Sequence, residues 1–220
     1  MMDMEKLIAR RTAGLKPSGI RRFFDIANEM ENVISLGVGE PDFKTPYAVR
    51  RAAMDNLQRG KTAYSANAGL MPLRKSIAAY MSRSFSLDYD PKSEIIVTVG
   101  GSEGIDLCIR AFVDPGDEVL VPEPSFVAYA PIVTLACGVP VPIPTLQEDD
   151  FRLTATQLEA AITPKTKVLV LPFPNNPTGA VMRREHLEEI AEVLRRHGIV
   201  VLSDEIYAEL AYNGRHVSIA

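Results

Sequence analysis

Four short stretches of chemically unusual residues each follow an apolar run in this chain: Gly100–Glu103, Pro122–Phe126, Pro174–Gly179 and Ser203–Tyr207. In an open α/β sheet, ligands bind outside the carboxyl ends of the strands. If the apolar runs are parallel strands, the four stretches meet at one edge of the sheet. Backbone amides, an aromatic ring, side-chain amides and a carboxylate would then be available to a single ligand.

The first stretch contains a glycine pair that lets the backbone approach a ligand closely. Ser102 can cap the helix that follows, which leaves the first amides of that helix free to bind a phosphate. The stretch matches neither the dinucleotide pattern GxGxxG nor the Walker A pattern, so neither ligand class is indicated. A tight turn before an ordinary helix also explains Gly100–Glu103 taken alone.

The last stretch contains a carboxylate and a phenol. Asp204 follows a buried apolar run, where a carboxylate is costly unless it meets a cation such as a protonated ring nitrogen. Asp204 could equally be a helix N-cap. Tyr207 lies on the same side as Asp204 if a helical turn begins here, or it is a packed aromatic residue.

The two middle stretches also allow two interpretations each. Asn175–Gly179 is a rigid turn rich in hydrogen-bonding side chains, but an Asn-Pro turn needs no function. Phe126 is either a core residue or a ring that lies flat on a planar ligand. The three histidines have no metal-ligand spacing and the two cysteines form no CxxC pair, so the sequence indicates neither a metal site nor a disulfide.

Short β-branched runs alternate with helical patterns from residue 95 onward. The runs are Ile95–Val99, Glu118–Val121, Val139–Ile143, Val168–Leu171 and Ile199–Leu202. This alternation is typical of right-handed βαβ units with a mainly parallel sheet. The runs are almost wholly apolar, which indicates that helices cover both faces of the sheet. The sequence therefore predicts an α/β fold.

Capping residues and apolar spacing predict five helices. The predicted helices are Thr45–Gly60 with Thr45 as N-cap and Pro46 in the first helical position, Leu70–Phe85, a helix after Ser102, one from a capping box at Thr154 or Thr156 to about Ile162, and Glu185–His197. The helix after Ser102 is expected to bury Ile105, Cys108, Ile109 and Phe112. Residues 1–45 lack a clear period and are predicted to form an arm, and residues 46–220 a large α/β domain.

Composition places the chain among ordinary globular proteins. The 220 residues carry a net charge of −4, and 46% of them are hydrophobic. There is no basic excess for nucleic acid or an anionic membrane surface, and no apolar run reaches the roughly 20 residues that a bilayer requires. The first residues lack the order of a signal peptide. We therefore expect a cytoplasmic protein that binds neither nucleic acid nor membranes.

Six segments taken together resemble a known family. In chain order they are SLGVGEPDF, Tyr64 followed by AGLMPLR, VTVGGSEG, PEPSFVAY, PNNPTG and SDEIY. Their order and spacing are similar to those of class I/II aminotransferases, which are fold-type-I enzymes dependent on pyridoxal 5′-phosphate. The resemblance implies the large domain of that fold. It also implies amino-group transfer between an α-amino acid and an α-keto acid, of the aspartate, aromatic or N-acyl-diaminopimelate type.

The resemblance also implies roles for individual residues around the cofactor. Gly101, Ser102 and Glu103 would hold its phosphate, and Phe126 would stack on its ring. Asp204 would pair with the ring nitrogen, and Asn176 and Tyr207 would bind the phenolic oxygen. Asp204 and Tyr207 are thus the candidate catalytic residues.

Three implied roles concern the substrate and a second subunit. Gly39 and Asn176 would lie against the substrate. Tyr64 would reach the phosphate held by a neighbouring subunit, which makes a homodimer with shared active sites the functional unit.

The family's covalent cofactor lysine lies in a Ser-x-x-Lys segment that follows the SDEIY segment. None of the eight lysines of this chain follows Asp204, and Lys165 and Lys167 precede their strand. We therefore expect this chain to be the N-terminal part of an aminotransferase, with a large domain truncated at its C-terminal end, no small domain and no activity of its own.

Two other functions remain open at this point. One is another reaction on the same scaffold, by a β-lyase or a synthase, which a measurement of keto-acid production with and without an amino acceptor would separate from transfer. A non-catalytic ligand-binding domain of this fold would accompany a DNA-binding helix-turn-helix, and none precedes this domain.

Overall fold

The structure is a computed structural model that describes residues 7–15, 19, 26, 29–30, 34, 39, 43–212 and 214–220. It contains two compact units. One combines Met1–Leu15 with Ala68–Ala220, and the other is Lys16–Asn67. The predicted arm, residues 1–45, lies mostly outside the described residues, so its boundary stays a prediction.

A four-stranded parallel sheet is the centre of the first unit. Its strands are β1 (Glu118–Glu123), β2 (Val139–Pro144), β3 (Thr166–Leu171) and β4 (Val200–Ser203). They lie in the order β2-β1-β3-β4, and every neighbouring pair is parallel. The predicted α/β fold with a mainly parallel sheet is confirmed.

The predicted strand at Ile95–Val99 is wrong. The segment lies between two helices without a strand partner among the described residues, and the Val97 N–H donates to the Ala68 carbonyl at 3.1 Å. Ile96 is 66% exposed and Val99 90% exposed. β-branched residues favour an extended backbone, but a strand also needs a neighbour that pairs with its amides along its length.

Seven α-helices and two short 3₁₀ turns are described. The helices are α1 (Arg10–Ala13), α2 (Tyr47–Gln58), α3 (Met71–Phe85), α4 (Gly100–Phe112), α5 (Tyr129–Leu135), α6 (Ala155–Ala161) and α7 (Arg184–His197), and the 3₁₀ turns are Gln147–Asp149 and Ala208–Leu210. The predicted capping box at Thr154 is confirmed, with Gln157 as its partner. So is the end of α7 at Gly198, which adopts a left-handed conformation.

Three details of the predicted helices are wrong. Pro46 is the N-cap of α2 rather than its first residue. Helix α4 begins at Gly100 with Val99 as N-cap, so Ser102 lies inside the first turn and does not cap it. Cys108 and Phe112 of α4 are exposed, whereas Ile105 and Ile109 are buried as expected.

Hydrophobic side chains form two clusters. One contains Leu120 and Leu169 together with the buried residues of α6 and α7. The other contains Val119 and Val168 together with the buried residues of α4 and α5. Because successive residues of a strand point to opposite faces, the clusters lie on the two faces of the sheet. Each fully buried Val or Leu contributes about 1.5–3 kcal/mol, so the interior strands fix the fold.

The segment that enters α4 is held by a close contact with a glycine. Gly69 has φ of +94°, and a Cβ built on it would lie 2.7 Å from both Cβ and Cγ2 of Val97. Only glycine adopts this conformation without strain and also leaves room for Val97. The contact therefore fixes the approach of the backbone to the first turn of α4.

Replacing Gly69 by alanine should destabilise the chain more than the matched change Gly116→Ala. Gly116 has φ of +93° but nothing within 4 Å of an added Cβ, so it reports backbone strain alone, about 1–2 kcal/mol. Overpacking against Val97 should add about 1–3 kcal/mol for Gly69→Ala. Chemical denaturation of the three proteins measures both losses. Equal losses would show that Val97 moves aside freely.

Candidate functional site

A cavity of about 130 Å³ lies at the carboxyl ends of the strands. Six of the residues predicted to form a site line it, namely Gly101, Ser102, Phe126, Asn176, Asp204 and Tyr207. Its lining also includes Ile105, Tyr129 and Ile206, which were not predicted as site residues. Residues that follow β1, β3 and β4 therefore meet the first turn of α4 at one place, as the strand-end argument predicts.

The first turn of α4 presents free backbone to this cavity. No side chain caps the helix, and a Cβ added at Gly100 or Gly101 would meet nothing within 4 Å. The carboxylate of Glu103 accepts a hydrogen bond from the Val99 N–H at the start of the helix. Of Glu103, only the backbone amide is therefore suited to an anion. A helix N-terminus with unpaired amides attracts negative charge.

Asp204 is half-buried, and three of its atoms form hydrogen bonds. Its N–H donates to the Leu171 carbonyl at 3.0 Å, which continues the pairing of β4 with β3. Its Oδ1 accepts from the Ile206 N–H at 3.2 Å, and its Oδ2 accepts from the Tyr129 hydroxyl at 2.8 Å. The contact with Ile206 closes an Asx turn, so in the described chain Asp204 does not cap an α-helix.

Tyr129 is the site residue that the sequence analysis missed. It is only 3% exposed, and its ring meets the ring of Phe126 edge to face, with 5.6 Å between the centroids. Burial, and then the charge of Asp204, raise the pKa of Tyr129 far above its usual value, so the phenol stays a donor at any physiological pH. Phe126 itself is 36% exposed and lines the cavity, which favours the ligand-facing alternative.

The two asparagines of the turn after β3 have different roles. Asn175 is buried, and its Oδ1 accepts from the N–H of Thr178 at 3.2 Å and from the Thr178 hydroxyl at 2.9 Å. Asn176 is exposed, and its Nδ2 donates to the Tyr207 hydroxyl at 3.5 Å. The peptide bond from Asn176 to Pro177 is cis. Asn175 thus holds the turn that places Asn176 at the cavity.

The predicted roles of Gly39 and Tyr64 stay predictions. Both residues belong to the second compact unit, and both are exposed. A Cβ added at Gly39 would meet nothing within 4 Å.

A larger cavity of about 580 Å³ contains none of the predicted site residues. Its lining includes Arg152, Arg183, Arg184 and Arg215. Each of these cations already has an acceptor, and the acceptors are Asp150, Glu185, Glu188 and the Ser84 carbonyl, respectively. This cavity is therefore the weaker candidate for a site.

Within the described ranges, no group of three or more His, Cys, Asp or Glu side chains could hold a metal ion. Among the helices that the structure describes, none is long and apolar enough to cross a membrane.

Comparison with known proteins assigns the family. The sequence profile of class I and II aminotransferases matches residues 31–219. The chain belongs to the class I and II aminotransferase family. Members of this family are pyridoxal 5′-phosphate enzymes, so the cofactor that the resemblance implied is confirmed for the family.

Several aminotransferases are similar to this chain. Putative aminotransferase YugH of Bacillus subtilis is 54% identical over 206 residues, which are 94% of this chain and 53% of that protein. Aromatic-amino-acid aminotransferase 2 of Thermococcus litoralis is 44% identical, over 97% of this chain and 55% of that protein. The structure of aspartate aminotransferase from Thermus thermophilus with maleate is 41% identical and aligns with a TM-score of 0.90, over 96% of this chain and 56% of that one. The aminotransferase chain thus spans about half the length of the curated relatives it matches.

A cluster of polar side chains lies next to Asp204, around the carboxylate of Glu205. The carboxylate of Glu205 accepts hydrogen bonds from the hydroxyls of Ser203 and Ser218, both at 2.7 Å, and lies 2.9 Å from Nε2 of His216. The side chains of Glu205 and His216 are 17% and 7% exposed. Burial alone would raise the pKa of Glu205, but the bonds from His216, Ser218 and Ser203 outweigh it and lower that pKa.

The Glu205 cluster should make stability depend on pH. A carboxylate whose pKa is lowered by folding stabilises the chain above its ordinary pKa of 4.5, and that contribution is lost as the pH falls through the lowered value. Glu205→Gln should cost about 1–3 kcal/mol at neutral pH and progressively less below pH 4.5. Denaturant unfolding at a series of pH values measures this. The control is Glu192→Gln, at an exposed position on α7. If the stability cost of Glu205→Gln does not vary with pH, the lowered pKa assigned to Glu205 is contradicted.

Proposed function

We propose that this chain forms the cofactor-binding part of an enzyme that transfers an amino group between an α-amino acid and an α-keto acid. One observation carries the proposal beyond family membership. A carboxylate at the end of β4 and the open first turn of α4 line the same small cavity, with an aromatic ring between the two in chain order. A ring with a basic nitrogen and a phosphate requires these three contacts: an acceptor for the protonated nitrogen, a stacking partner and amide donors for the phosphate.

The phosphate end fits the first turn of α4. The amides around Gly101, Ser102 and Glu103 begin a 13-residue helix that has no side-chain cap. The open space beside the glycines leaves room for phosphate oxygens. The positive end of the helix dipole favours the charge, and the Ser102 hydroxyl can donate one further hydrogen bond.

The ring end fits the residues that follow the strands. Asp204 presents a carboxylate whose two oxygens already accept one hydrogen bond each, so its remaining lone pairs can accept from a protonated ring nitrogen. Phe126 presents a partly exposed ring for stacking. Asn176 and Tyr207 lie within 3.5 Å of each other and can both donate to a phenolic oxygen.

The proposed division of work follows from these positions. Bound pyridoxal phosphate supplies an electron sink that makes the α-proton of an amino acid removable. Asp204 keeps the proton on the ring nitrogen, because a negative charge beside a base favours its protonated form. Asn176 and Tyr207 stabilise negative charge on the phenolic oxygen by hydrogen bonding. Family relatives named as aminotransferases favour transfer over elimination or synthase chemistry.

No lysine of the described sheet is placed to contact the ring. Lys165 and Lys167 lie at the amino end of β3, and the cavity lies at the carboxyl ends of the strands. The lining of the cavity therefore offers no amine that could bind the cofactor covalently or move the α-proton. The substrate would be of the aspartate, aromatic or N-acyl-diaminopimelate type.

We propose a homodimer in the cytoplasm as the working form. Helix α2 has no buried residue, and it exposes Val49, Met54 and Leu57. Tyr64 is fully exposed in the same unit, as a residue that reaches a neighbouring subunit's phosphate should be. Both cysteines are free, which is typical of a reducing compartment.

Asp204→Asn in the full-length protein should leave most of the cofactor binding and lower the rate of transamination. The expected loss is about 10²–10³-fold, the range for removing one preorganised electrostatic partner, because a neutral amide does not keep the ring nitrogen protonated. Keto-acid formation from an amino acid, measured with and without a keto-acid acceptor, tests this. The control is Glu189→Gln on the exposed side of α7. Near-normal turnover in Asp204→Asn contradicts the role. Keto acid formed in large excess over the enzyme without an acceptor contradicts transfer, because transfer to the cofactor alone yields no more than one equivalent.

A further inference from the structure

One buried side chain contacts both of the residues proposed to hold the cofactor ring. The Tyr129 hydroxyl donates to Oδ2 of Asp204 at 2.8 Å, and the edge of the Tyr129 ring meets the face of Phe126 or the reverse, with 85° between the planes. The Tyr129 N–H also donates to the Phe126 carbonyl at 3.3 Å. Residues from two separate strand ends are thus connected through Tyr129.

Packing gives Tyr129 a fixed position. It is the first residue of α5, and it belongs to the same cluster of buried residues as Val121 and Val133. A side chain held by a packed helix positions its neighbours better than a loop residue does. Phe126 and Asp204 both lie in irregular segments, so their orientation depends on such a contact.

The hydrogen bond also has an electrostatic consequence. A hydrogen bond from a neutral phenol to a carboxylate is charge-assisted, which makes it short and strong. Burial next to the carboxylate also keeps the Tyr129 phenol protonated, so Tyr129 donates throughout.

We propose that Tyr129 is a positioning residue of the cofactor site, which orients Asp204 through its hydroxyl and Phe126 through its ring. This inference rests on the proposed function. A purely structural role predicts that only the bulk of the ring matters. The two roles separate in Tyr129→Phe, because this change keeps the ring and its packing and removes only the donor.

The first measurement needs no cofactor. In the cofactor-free protein, the ¹³C signal of the Asp204 carboxyl, assigned with Asp204→Asn, should shift in Tyr129→Phe. It should not shift in the control Tyr212→Phe, whose side chain is 95% exposed. If Tyr129→Phe fails to fold, another measurement reports the same hydrogen bond. It compares the ring ¹³Cζ signal of Tyr129 in the parent protein with the signal in Asp204→Asn. An unchanged signal overturns the inference.

The second measurement uses pyridoxal 5′-phosphate and the full-length protein. Tyr129→Phe should weaken binding by about 3–10-fold, the range for one hydrogen bond, and the bound cofactor's absorbance should titrate at a different pH. The kcat should fall about tenfold with little change in KM, as for an interaction that matters in the transition state. Tyr129→Leu should weaken binding further, because Phe126 also loses its neighbour.

The outcomes distinguish the two proposals. If the parent protein does not bind pyridoxal 5′-phosphate, the proposed function fails and this inference fails with it. If the parent binds and Tyr129→Phe matches it in affinity, titration and kcat, only the inference about Tyr129 is overturned.

Discussion

The burial of β1 and β3 on both faces is the constraint on which the rest of the structure depends. Val119 and Val168 face one cluster while Leu120 and Leu169 face the other. Strands of this kind must be covered by helices on both sides, which requires parallel strands joined by crossovers. All four strands therefore end at the same edge. The irregular segments that follow them converge there, and the cavity results from that convergence.

At this edge, residues that hold the local structure lie beside residues that line the cavity. Asn175 holds its turn while its neighbour Asn176 lines the cavity, and Glu205 contacts His216 while its neighbour Asp204 lines the cavity. Tyr129 does the same for Phe126, three residues away. A polar group at the edge of a sheet is free to bind a ligand only if another group satisfies the surrounding backbone. Asn175 meets this need in the turn after β3, whereas Asp204 itself accepts from the Ile206 N–H and also lines the cavity.

Local sequence patterns predicted the strands and helices that are determined by neighbouring residues in the sequence. The strands β1 to β4 were placed to within two residues at each end, and six cavity residues were found from their positions after apolar runs. The error at Ile95–Val99 arose because strand formation depends on a partner that no local pattern reveals. Ser102 was misplaced because Val99, which has no capping side chain, begins the helix. Tyr129 was missed because its contact with Asp204 joins residues 75 positions apart. Its spacing of three from Phe126 was the only local signal.

The contact between Gly69 and Val97 also has a mechanical consequence. The separation leaves no room for even one added carbon, so the loop before α3 and the segment before α4 are closely packed. The position of the first turn of α4 therefore depends on the loop before α3. The geometry of the candidate site at this turn is thus set in part by a loop some thirty residues earlier, whose Gly69 does not line the cavity.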